Sequence, residues 1–469
     1  MNKTKIIATI GPSSDHPQII SKLILSGMNV ARINMAHCKD EGFLKKIISV
    51  IRSEADKLNT HVGILIDLAG PKIRLDLHES TDEIKVVKDH IYQLGFSKMN
   101  DLPINVDLTF KNIYKQNSFV KIDDGKIEFK VIKTDGKSIK IKALENGVLK
   151  NNKGVNFPGI DIDVPCLTEK DINDIKLAIK YDADWLALSF VRSASDINYI
   201  LEVLNDSNSV IPIIAKIEKP EAIDDLDNII LKFDGILVAR GDLGVEMPLS
   251  KLPALQKSII EKCRLEKKPV IIATQMLESM INSNQPTRAE VTDVANAVYQ
   301  GSDAVMLSEE TAMGTYPIET VSIMREIVVN AEQENSTYYS SNVINIINDN
   351  RNAIGNAIIA INESINIDAI VVMTESGSTA TVVSQFRPNA NLFAMTPHKK
   401  VCQRLTLVWG IVSLVTPKFL STDDMLISAE KILKNNKYIC KDDIFILTSG
   451  VPVGVVGSTN MLKIQKVTD

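Results

Sequence analysis

Strand-like runs that alternate with helix-like segments constrain the fold of this chain more than any other feature. Each run is short, apolar and followed by polar or charged residues, and amphipathic segments with helical spacing lie between the runs. The predicted strands are Lys5–Gly11, Asn29–Asn34, His61–Asp67, Trp185–Phe190, Val210–Ala215, Gly235–Ala239, Pro269–Gln275 and Asp303–Ser308. Eight such strand–helix units in one chain predict an α/β protein built on a (β/α)8, or TIM, barrel.

This alternation stops between Pro71 and Pro165, where short β-prone runs are joined by polar turns. Asp123-Asp124-Gly125 and Thr134-Asp135-Gly136 are hairpin signals within this stretch. After a polar, asparagine-rich connector at 334–352, strand-like and helix-like segments alternate again to the last residue. The predicted domains are the barrel in two parts (1–70 and 166–340), an inserted small β domain (71–165) and a C-terminal α/β domain (341–469).

Composition argues against several functional classes. A net charge of -5 and a pI near 5.8 give no reason to expect a nucleic acid or a membrane surface as a partner. No apolar run approaches the roughly 20 residues that span a bilayer, and the first residues predict a strand, not a signal peptide. The five scattered cysteines contain no CxxC pair, which favours reduced thiols over disulfides or a zinc site. We therefore expect a cytoplasmic protein.

The carboxyl ends of the predicted barrel strands carry most of the candidate functional residues. In such barrels these strand ends form the active site. The polar or glycine residues at these ends and just beyond them are Thr9, Gly11, Arg32, Asn34, Asp67, Ser189, Lys216, Glu218, Arg240, Asp242, Thr274, Ser308 and Glu309. A salt-bridge cluster at a sheet edge would explain one such pair. Converging polar ends on nearly every strand favour an enzyme site.

The residue types at these ends indicate chemistry on an anion. Glu218 and Asp242 supply hard oxygen ligands without nearby sulfur or histidine, which favours Mg²⁺ or Mn²⁺ over zinc. The segment Gly241-Asp242-Leu243-Gly244 precedes a predicted helical turn, whose N–H groups can hold a carboxylate or phosphate. Fixed positive charge comes from Arg32, Lys216 and Arg240. Such an array stabilises phosphoryl or enolate oxygens, so we expect a small phosphorylated acid as substrate.

A series of motifs in order along the chain resembles the pyruvate kinase family. The motifs are ATIGPSS (8–14), VARINMAH (30–37), DLAGPKIR (67–74), KIEKPEA (216–222), ARGDLGVEMP (239–248), ATQMLESM (273–280), PTRAEVTDVANAV (286–298), MLSEETAMGTYP (306–317) and VVMTESGSTATVVSQFRP (371–388). The resemblance covers essentially the whole chain. It implies transfer of the phosphoryl group of phosphoenolpyruvate to ADP, a small β-barrel lid at 71–165, and a homotetramer with an effector domain at 341–469.

The resemblance also implies roles for individual residues. Lys216 corresponds to the lysine that neutralises the transferred phosphoryl group, Glu218 and Asp242 to the divalent-metal ligands, and Thr274 to the residue near the enolate carbon. The implied substrate-binding residues are Arg32, Ser189, Gly241 and Asp242. The implied nucleotide-binding residues are Thr9, Pro12, Asn34, His37, Arg74 and Lys153, with Asp124 as a contact from the lid. Arg240 is expected to orient its neighbours.

The chain departs from the family pattern around the monovalent cation. Asn34 and Asp67 remain, but Ala36 and Leu68 stand where hydroxyl residues are usual, and Lys72 stands where K⁺-dependent members carry glutamate. A lysine ammonium can supply the charge of the bound ion. We predict that K⁺ is not required; the alternative is that Lys72 is a solvated residue at the lid hinge.

The nucleotide preference and the effector stay open. Met313 stands where many members have lysine, and Gly42 lies near the place of a frequent aromatic residue. The predicted phosphate loop of an effector site consists of Thr374, Ser376, Gly377, Ser378 and Thr379, with Ser449-Gly450 and Gly457-Ser458-Thr459 as further walls. The alternative is an ordinary strand-to-helix turn.

Two other functions are compatible with parts of the pattern. A metal-dependent lyase or aldolase that acts on a pyruvate enolate would use the same carboxylate pair and an arginine, but not Lys216, the 8–14 loop or the insert. A catalytically silent regulator with this fold would be expected to lack at least one of Arg32, Lys216, Glu218 and Asp242, and all four are present.

Overall fold

The computed structural model describes residues 2–78, 81–110, 118–160, 164–334, 350–419, 421–451 and 459–468. The first part of the chain forms strands and helices in alternation. These elements are β1 (Lys5–Thr9), α1 (Pro17–Ser26), β2 (Val30–Asn34), α2 (Glu41–Lys57) and β3 (Gly63–Asp67). The His16 side chain caps the first turn of α1, Pro17 fits its N-terminus, and Gly27 ends it at a φ of 126°.

Strands and the turns and loops between them make up the described residues of the inserted segment, which contain no helix. The strands are β4 (Glu83–Val86), β5 (Ile91–Gly95), β6 (Leu102–Pro103), β7 (Phe119–Ile122), β8 (Ile127–Thr134), β9 (Ser138–Ala143), β10 (Gly147–Lys150) and β11 (Val155–Asn156). Both predicted hairpin turns are present, between β7 and β8 and between β8 and β9. The described strands form a six-stranded sheet and a two-stranded sheet around one core, so the predicted inserted domain is a separate β-rich domain. We call this segment, residues 71–165, the insert.

Alternation resumes after the insert and completes the barrel. The helices are α3 (Glu169–Lys180), α4 (Ile197–Asp206), α5 (Pro220–Asp224), α6 (Leu226–Lys232), α7 (Arg240–Glu246), α8 (Leu252–Leu265), α9 (Arg288–Tyr299), α10 (Glu309–Ala312) and α11 (Pro317–Glu334). The strands are β12 (Trp185–Leu188), β13 (Ile213–Ile217), β14 (Gly235–Ala239), β15 (Val270–Ala273) and β16 (Ala304–Leu307). Strand β13 begins later than predicted, after Pro212, which lacks an N–H group for the sheet ladder.

The described barrel strands close in the order β1-β16-β15-β14-β13-β12-β3-β2, and each pair is parallel. Alternate strand residues face the barrel interior, where Ile7, Leu65, Ile214 and Ile271 pack together with Leu407 of the C-terminal domain. The residues between them face the surrounding helices and form the larger core. The predicted (β/α)8 barrel is confirmed.

The C-terminal domain is the predicted α/β domain. Its elements are α12 (Asn350–Ser364), β17 (Ala369–Met373), α13 (Ser378–Gln385), β18 (Asn391–Thr396), α14 (Lys399–Leu405), β19 (Ile411–Val415), α15 (Thr422–Asn435), β20 (Ile444–Gly450) and β21 (Thr459–Lys466). The sheet order is β19-β18-β17-β20-β21, with β21 antiparallel to its neighbour. Helix α11 ends at residue 334 and α12 includes residues 350–352 of the predicted connector; residues 335–349, with the predicted domain boundary at 340/341, lie outside the described residues.

Four aspartates that directly precede strands tie those strands to a neighbouring strand in the same way. Each aspartate carboxylate accepts the backbone N–H of the first or second residue of the neighbouring strand, at 2.7–3.0 Å. The backbone N–H of each aspartate donates to the carbonyl of that same residue. The aspartate–acceptor pairs are Asp184 with Ile64, Asp234 with Ile213, Asp303 with Val270 and Asp368 with Ile444. We call these contacts the aspartate clasps.

One clasp also joins the barrel to the C-terminal domain. The carboxylate of Asp303 pairs with the Arg387 guanidinium at 3.2 Å and accepts the Gln385 amide at 3.0 Å. Arg387 stacks on the Trp409 ring, and both charged side chains are fully buried.

Among the described residues, no helix is both long enough and apolar enough to cross a bilayer.

Candidate active site

A buried charge network lies at the carboxyl ends of the barrel strands β2, β3 and β13. Asp67 Oδ2 accepts Arg32 Nε at 2.7 Å and lies 2.6 Å from Arg32 Nη2. Lys216 Nζ lies 3.3 Å from Asp67 Oδ1 and 3.0 Å from Glu218 Oε1, and it donates to Ser189 Oγ at 2.8 Å. The structure therefore brings together five residues that the strand ends predicted.

The network keeps Lys216 and Asp67 charged although both are buried. Burial would lower the pKa of Lys216, but the carboxylates of Asp67 and Glu218 outweigh it and raise the pKa above the usual value. Burial would raise the pKa of Asp67, but Lys216 and Arg32 hold that pKa below the usual range. A permanent ammonium thus faces the strand ends.

Glu218 is held by an unusual backbone conformation at Phe190. Its Oε2 accepts the Phe190 N–H at 2.7 Å, and Phe190 has a φ of 57°, in the left-handed region. Burial raises the pKa of Glu218; Lys216 lowers it, and the charge of Asp242 raises it further. The effect of Asp242 shows that the two predicted metal ligands repel each other electrostatically.

Asp242 lies in helix α7, which begins at Arg240 and includes the segment predicted to precede a helical turn. The sequence prediction placed this segment before the helix, whereas the structure includes it in the helix. Gly244 suits a tightly packed helical position, because an added Cβ would lie 3.0 Å from Leu249 and 3.1 Å from Leu252. On the insert side, Lys72 Nζ lies 3.3 Å from Asp242 Oδ1.

Thr274 adopts a strained backbone beside α7. Its φ is 71°, and its hydroxyl donates to Ala273 O at 2.6 Å and accepts the Gly241 N–H at 2.8 Å. Arg240 donates to Thr274 O at 2.6 Å and forms an ion pair with Asp293 at 2.6 Å. Arg240 therefore links the start of α7 to Thr274 and to Asp293 of α9.

The donor set fits a divalent cation that shares its coordination with a substrate. The described residues contain no group of three or more His, Cys, Asp or Glu side chains that could hold a metal alone. Glu218 and Asp242 are adjacent hard oxygen donors whose repulsion a divalent cation would relieve. Oxygen atoms from a substrate or water would complete such a site.

A cavity of about 970 Å³ lies between the insert and the barrel strand ends. Its lining includes candidate site residues from both sides, which are Lys72, Asp124, Arg240, Gly241, Asp242, Thr274, Ser308 and Glu309. Lys121 and Asp293 add further polar lining. The cavity is wide enough for a small phosphorylated acid beside a nucleotide.

Comparisons with known proteins assign this architecture to one family. Residues 1–321 match the model of the pyruvate kinase barrel domain, and residues 352–465 match that of the pyruvate kinase alpha/beta domain. The chain belongs to the pyruvate kinase family. Pyruvate kinases are phosphotransferases that use a divalent metal ion.

Individual relatives agree with this assignment over the whole chain. Pyruvate kinase of Staphylococcus aureus (strain MRSA252) is 42% identical over 477 aligned positions, which cover 100% of this chain and 81% of the relative. That of Staphylococcus haemolyticus (strain JCSC1435) is 42% identical with the same coverage. The crystal structure of a pyruvate kinase from Cryptosporidium parvum superposes with a TM-score of 0.92 at 34% identity, covering 99% of this chain and 96% of the other.

The residues expected on the nucleotide side of this pyruvate kinase family member differ in their exposure and in their contacts. Thr9 is buried, where its hydroxyl accepts Arg32 Nη1 at 2.9 Å and donates to Leu307 O. Pro12 and His37 are exposed on the loops after β1 and β2. The others have neighbours of their own: Asn34 accepts the Ala36 N–H, Arg74 donates to Asn152 O, and Lys153 pairs with Asp123 at 2.8 Å.

The predicted effector loop forms the start of helix α13. Thr374 Oγ1 accepts the Gly377 N–H at 2.9 Å, and Gly377 has a φ of 88°. Arg351 Nη1 donates to Ser378 Oγ at 2.8 Å, and the buried Thr379 hydroxyl lies 2.6 Å from that of Thr459. The predicted wall residues Gly457 and Ser458 lie outside the described residues.

Three residues near the site are absent from the sequence predictions. Asn156 of the insert donates to Glu246 Oε1 at 2.9 Å, and Lys219 forms an ion pair with the same oxygen. A signal was available for two of them, because Lys219 directly follows Glu218 and Glu246 lies one helical turn after Asp242. Asn156 carries no comparable signal.

Proposed function

We propose that this chain transfers the phosphoryl group of phosphoenolpyruvate to ADP, forming pyruvate and ATP in the last step of glycolysis in the cytoplasm. Family membership supports the reaction. The observation that carries the proposal is the buried Lys216 ammonium, which is held charged beside Glu218 and Asp67 at the barrel strand ends.

The proposed roles follow the movement of charge. The bond between phosphorus and the enol oxygen breaks as an oxygen of the ADP β-phosphate bonds to phosphorus, and C3 of the enolate then takes a proton. Lys216 and Arg32 stabilise the negative charge on the transferred group and on the substrate phosphate. Thr274 lies near the enolate carbon, and the proton arrives through water. Ser189 and the backbone of Gly241 and Asp242 bind the rest of the substrate.

Glu218 and Asp242 are the proposed ligands of the divalent ion, Mg²⁺ or Mn²⁺. When bound, the ion supplies Lewis-acid stabilisation to phosphoryl and enolate oxygens. The mutual repulsion of the two carboxylates supports this assignment.

The insert is the proposed lid over the cavity, because water that reached the phosphoryl group would hydrolyse it. The chain then divides at 70, 165 and 340, as the sequence predicts. The proposed nucleotide-side residues are Thr9, Pro12, Asn34, His37, Arg74 and Lys153, with Asp124 from the insert. Asp123 raises the pKa of Lys153, and the charge of Glu309 raises it further. This effect supports a position of Lys153 of the insert close to Glu309 of the barrel.

Catalysis without K⁺ is the second part of the proposal. Lys72 places an ammonium 3.3 Å from Asp242 Oδ1, and the buried, apolar Leu68 offers no side-chain oxygen to an ion. We predict that replacing K⁺ by Na⁺ or Tris salts leaves kcat within about twofold. Lys72→Glu is expected to lower kcat in Na⁺ and to recover part of it in K⁺. A large loss of wild-type activity without K⁺ would contradict the proposal.

A homotetramer and a phosphorylated effector at the Thr374–Thr379 loop are proposed from the family resemblance. The N–H groups and hydroxyls at the start of α13 support an anion site. Sedimentation velocity, with and without sugar phosphates, tests both.

The function is tested by following pyruvate formed from phosphoenolpyruvate with Mg²⁺, in the presence and absence of ADP. Phosphoryl transfer predicts pyruvate only with ADP, and ATP in equal amount. A lyase or aldolase would produce pyruvate from another substrate without ADP, and a silent regulator would produce none.

A further inference from the structure

Glu246 is a buried carboxylate at the end of helix α7 that none of the proposed chemical steps uses. Its side chain is 1% exposed, and its Oε1 binds both Lys219 Nζ and Asn156 Nδ2. A carboxylate that is removed from water without partners is strongly unfavourable, so these two contacts hold Glu246 in place.

The three residues come from three different elements. Asn156 ends strand β11 of the insert, Lys219 directly follows Glu218, and Glu246 lies four residues after Asp242 on the same face of α7. One carboxylate therefore joins the insert to both segments that carry the proposed metal ligands. We call Asn156, Lys219 and Glu246 the insert joint.

A second contact beside the insert joint fixes the same approach. Lys121 of strand β7 donates to Val245 O at 2.9 Å, one residue before Glu246. Lys121, Val245, Asp124 and Asp242 all line the cavity between insert and barrel. The position of the insert against the end of α7 thus determines how the cavity is covered.

We propose that Glu246 is a positioning residue that sets the insert over the active site and couples its position to the elements holding Glu218 and Asp242. The coupling rests on the proposed function, but the docking itself does not. Loss of the Glu246–Asn156 bond is expected to free the insert while the barrel stays folded.

Asn156→Asp tests the joint with a nearly isosteric change, because it places a second carboxylate beside Glu246. We expect faster hydrogen–deuterium exchange in peptides covering residues 118–124 and 240–250, and a kcat lower by about tenfold. In the double variant with Glu246→Gln, one carboxylate and one amide again lie beside Lys219, with their positions exchanged. Exchange and kcat are therefore expected to return to within about twofold of wild type.

Asn146→Asp is the matched control. It adds the same charge to an exposed residue of the insert, whose side-chain oxygen still accepts the Lys88 N–H. We expect wild-type exchange and kcat from it. If Asn156→Asp does not fold, Asn156→Ala removes the same hydrogen bond without adding charge.

Three results would overturn the proposal. Unchanged exchange in Asn156→Asp would show that the joint does not hold the insert. Faster exchange with unchanged kcat would show that docking is not coupled to the reaction, and failure of the double variant to recover would show that the pair does not act together. If the wild type lacks activity with phosphoenolpyruvate and ADP, the exchange measurement alone decides the docking role.

Discussion

Lys216 illustrates what the sequence predicts at single positions and what it leaves open. Its place at a strand end beside Glu218 follows from alternation along a strand. Its charged state depends on Asp67, which is far from Lys216 in the sequence. The folded barrel brings Asp67 Oδ1 to 3.3 Å from Lys216 Nζ. The left-handed backbone at Phe190 and Thr274 was not predictable, because neither residue type favours that region.

Lys5 should make stability depend on pH at the junction of barrel and C-terminal domain. Its buried ammonium donates to Ile411 O at 2.8 Å, and burial lowers its pKa to about 8 although Glu332 opposes the shift. Between about pH 8 and 10.5 the folded state releases this proton while the unfolded state keeps it. The wild type is therefore expected to gain stability relative to Lys5→Met as pH rises through this window.

Thermal midpoints of the two proteins from pH 7 to 10.5 provide the measurement for Lys5. The full shift corresponds to about 3 kcal/mol. Lys22→Met, on the exposed surface of α1, is the control and should show a constant difference from wild type. A constant difference for Lys5→Met as well would contradict the prediction.

The elements divide into those set by local sequence and those set by tertiary contacts. Helix α1 and the capping box that opens α3 at Thr168 were predictable because their signals are contiguous. Helix α7 begins at Arg240, earlier than predicted, and no side-chain cap marks its start in the sequence. The aspartate clasps were not predicted, since an acidic residue before a strand looks like any solvated strand edge.

The clasp at Asp303 should contribute far more stability than the clasp at Asp234. Asp303→Ala removes the acceptor of the Val270 N–H and leaves the fully buried Arg387 without its carboxylate. We expect a loss of about 3–5 kcal/mol in the free energy of unfolding. Urea denaturation measures it.

Asp234→Ala is the matched comparison for the clasp. It removes the same kind of hydrogen bond, to the Ile213 N–H, from an exposed residue. The expected loss is about 1 kcal/mol. Equal losses for the two variants would mean that the buried pair with Arg387 contributes nothing measurable.

At the scale of the whole molecule, the two domains attached to the barrel are held differently. The C-terminal domain places Leu407 in the barrel interior and joins it through the buried Asp303–Arg387 pair. The insert meets α7 through polar contacts at Val245 and Glu246. The sequence predicts the existence of both domains from breaks in the strand–helix alternation. It does not predict how firmly each is held, because that depends on pairs far apart in the chain.

Lys216→Met, assayed beside the wild type for ADP-dependent pyruvate formation, tests the central claim most directly. Methionine approximates the length of the side chain but removes the ammonium that stabilises the transferred phosphoryl group. We predict a kcat lower by at least about 10²–10³-fold in a protein that still folds, as circular dichroism would confirm. A folded Lys216→Met variant with kcat within about tenfold of wild type would contradict phosphoryl transfer at this site.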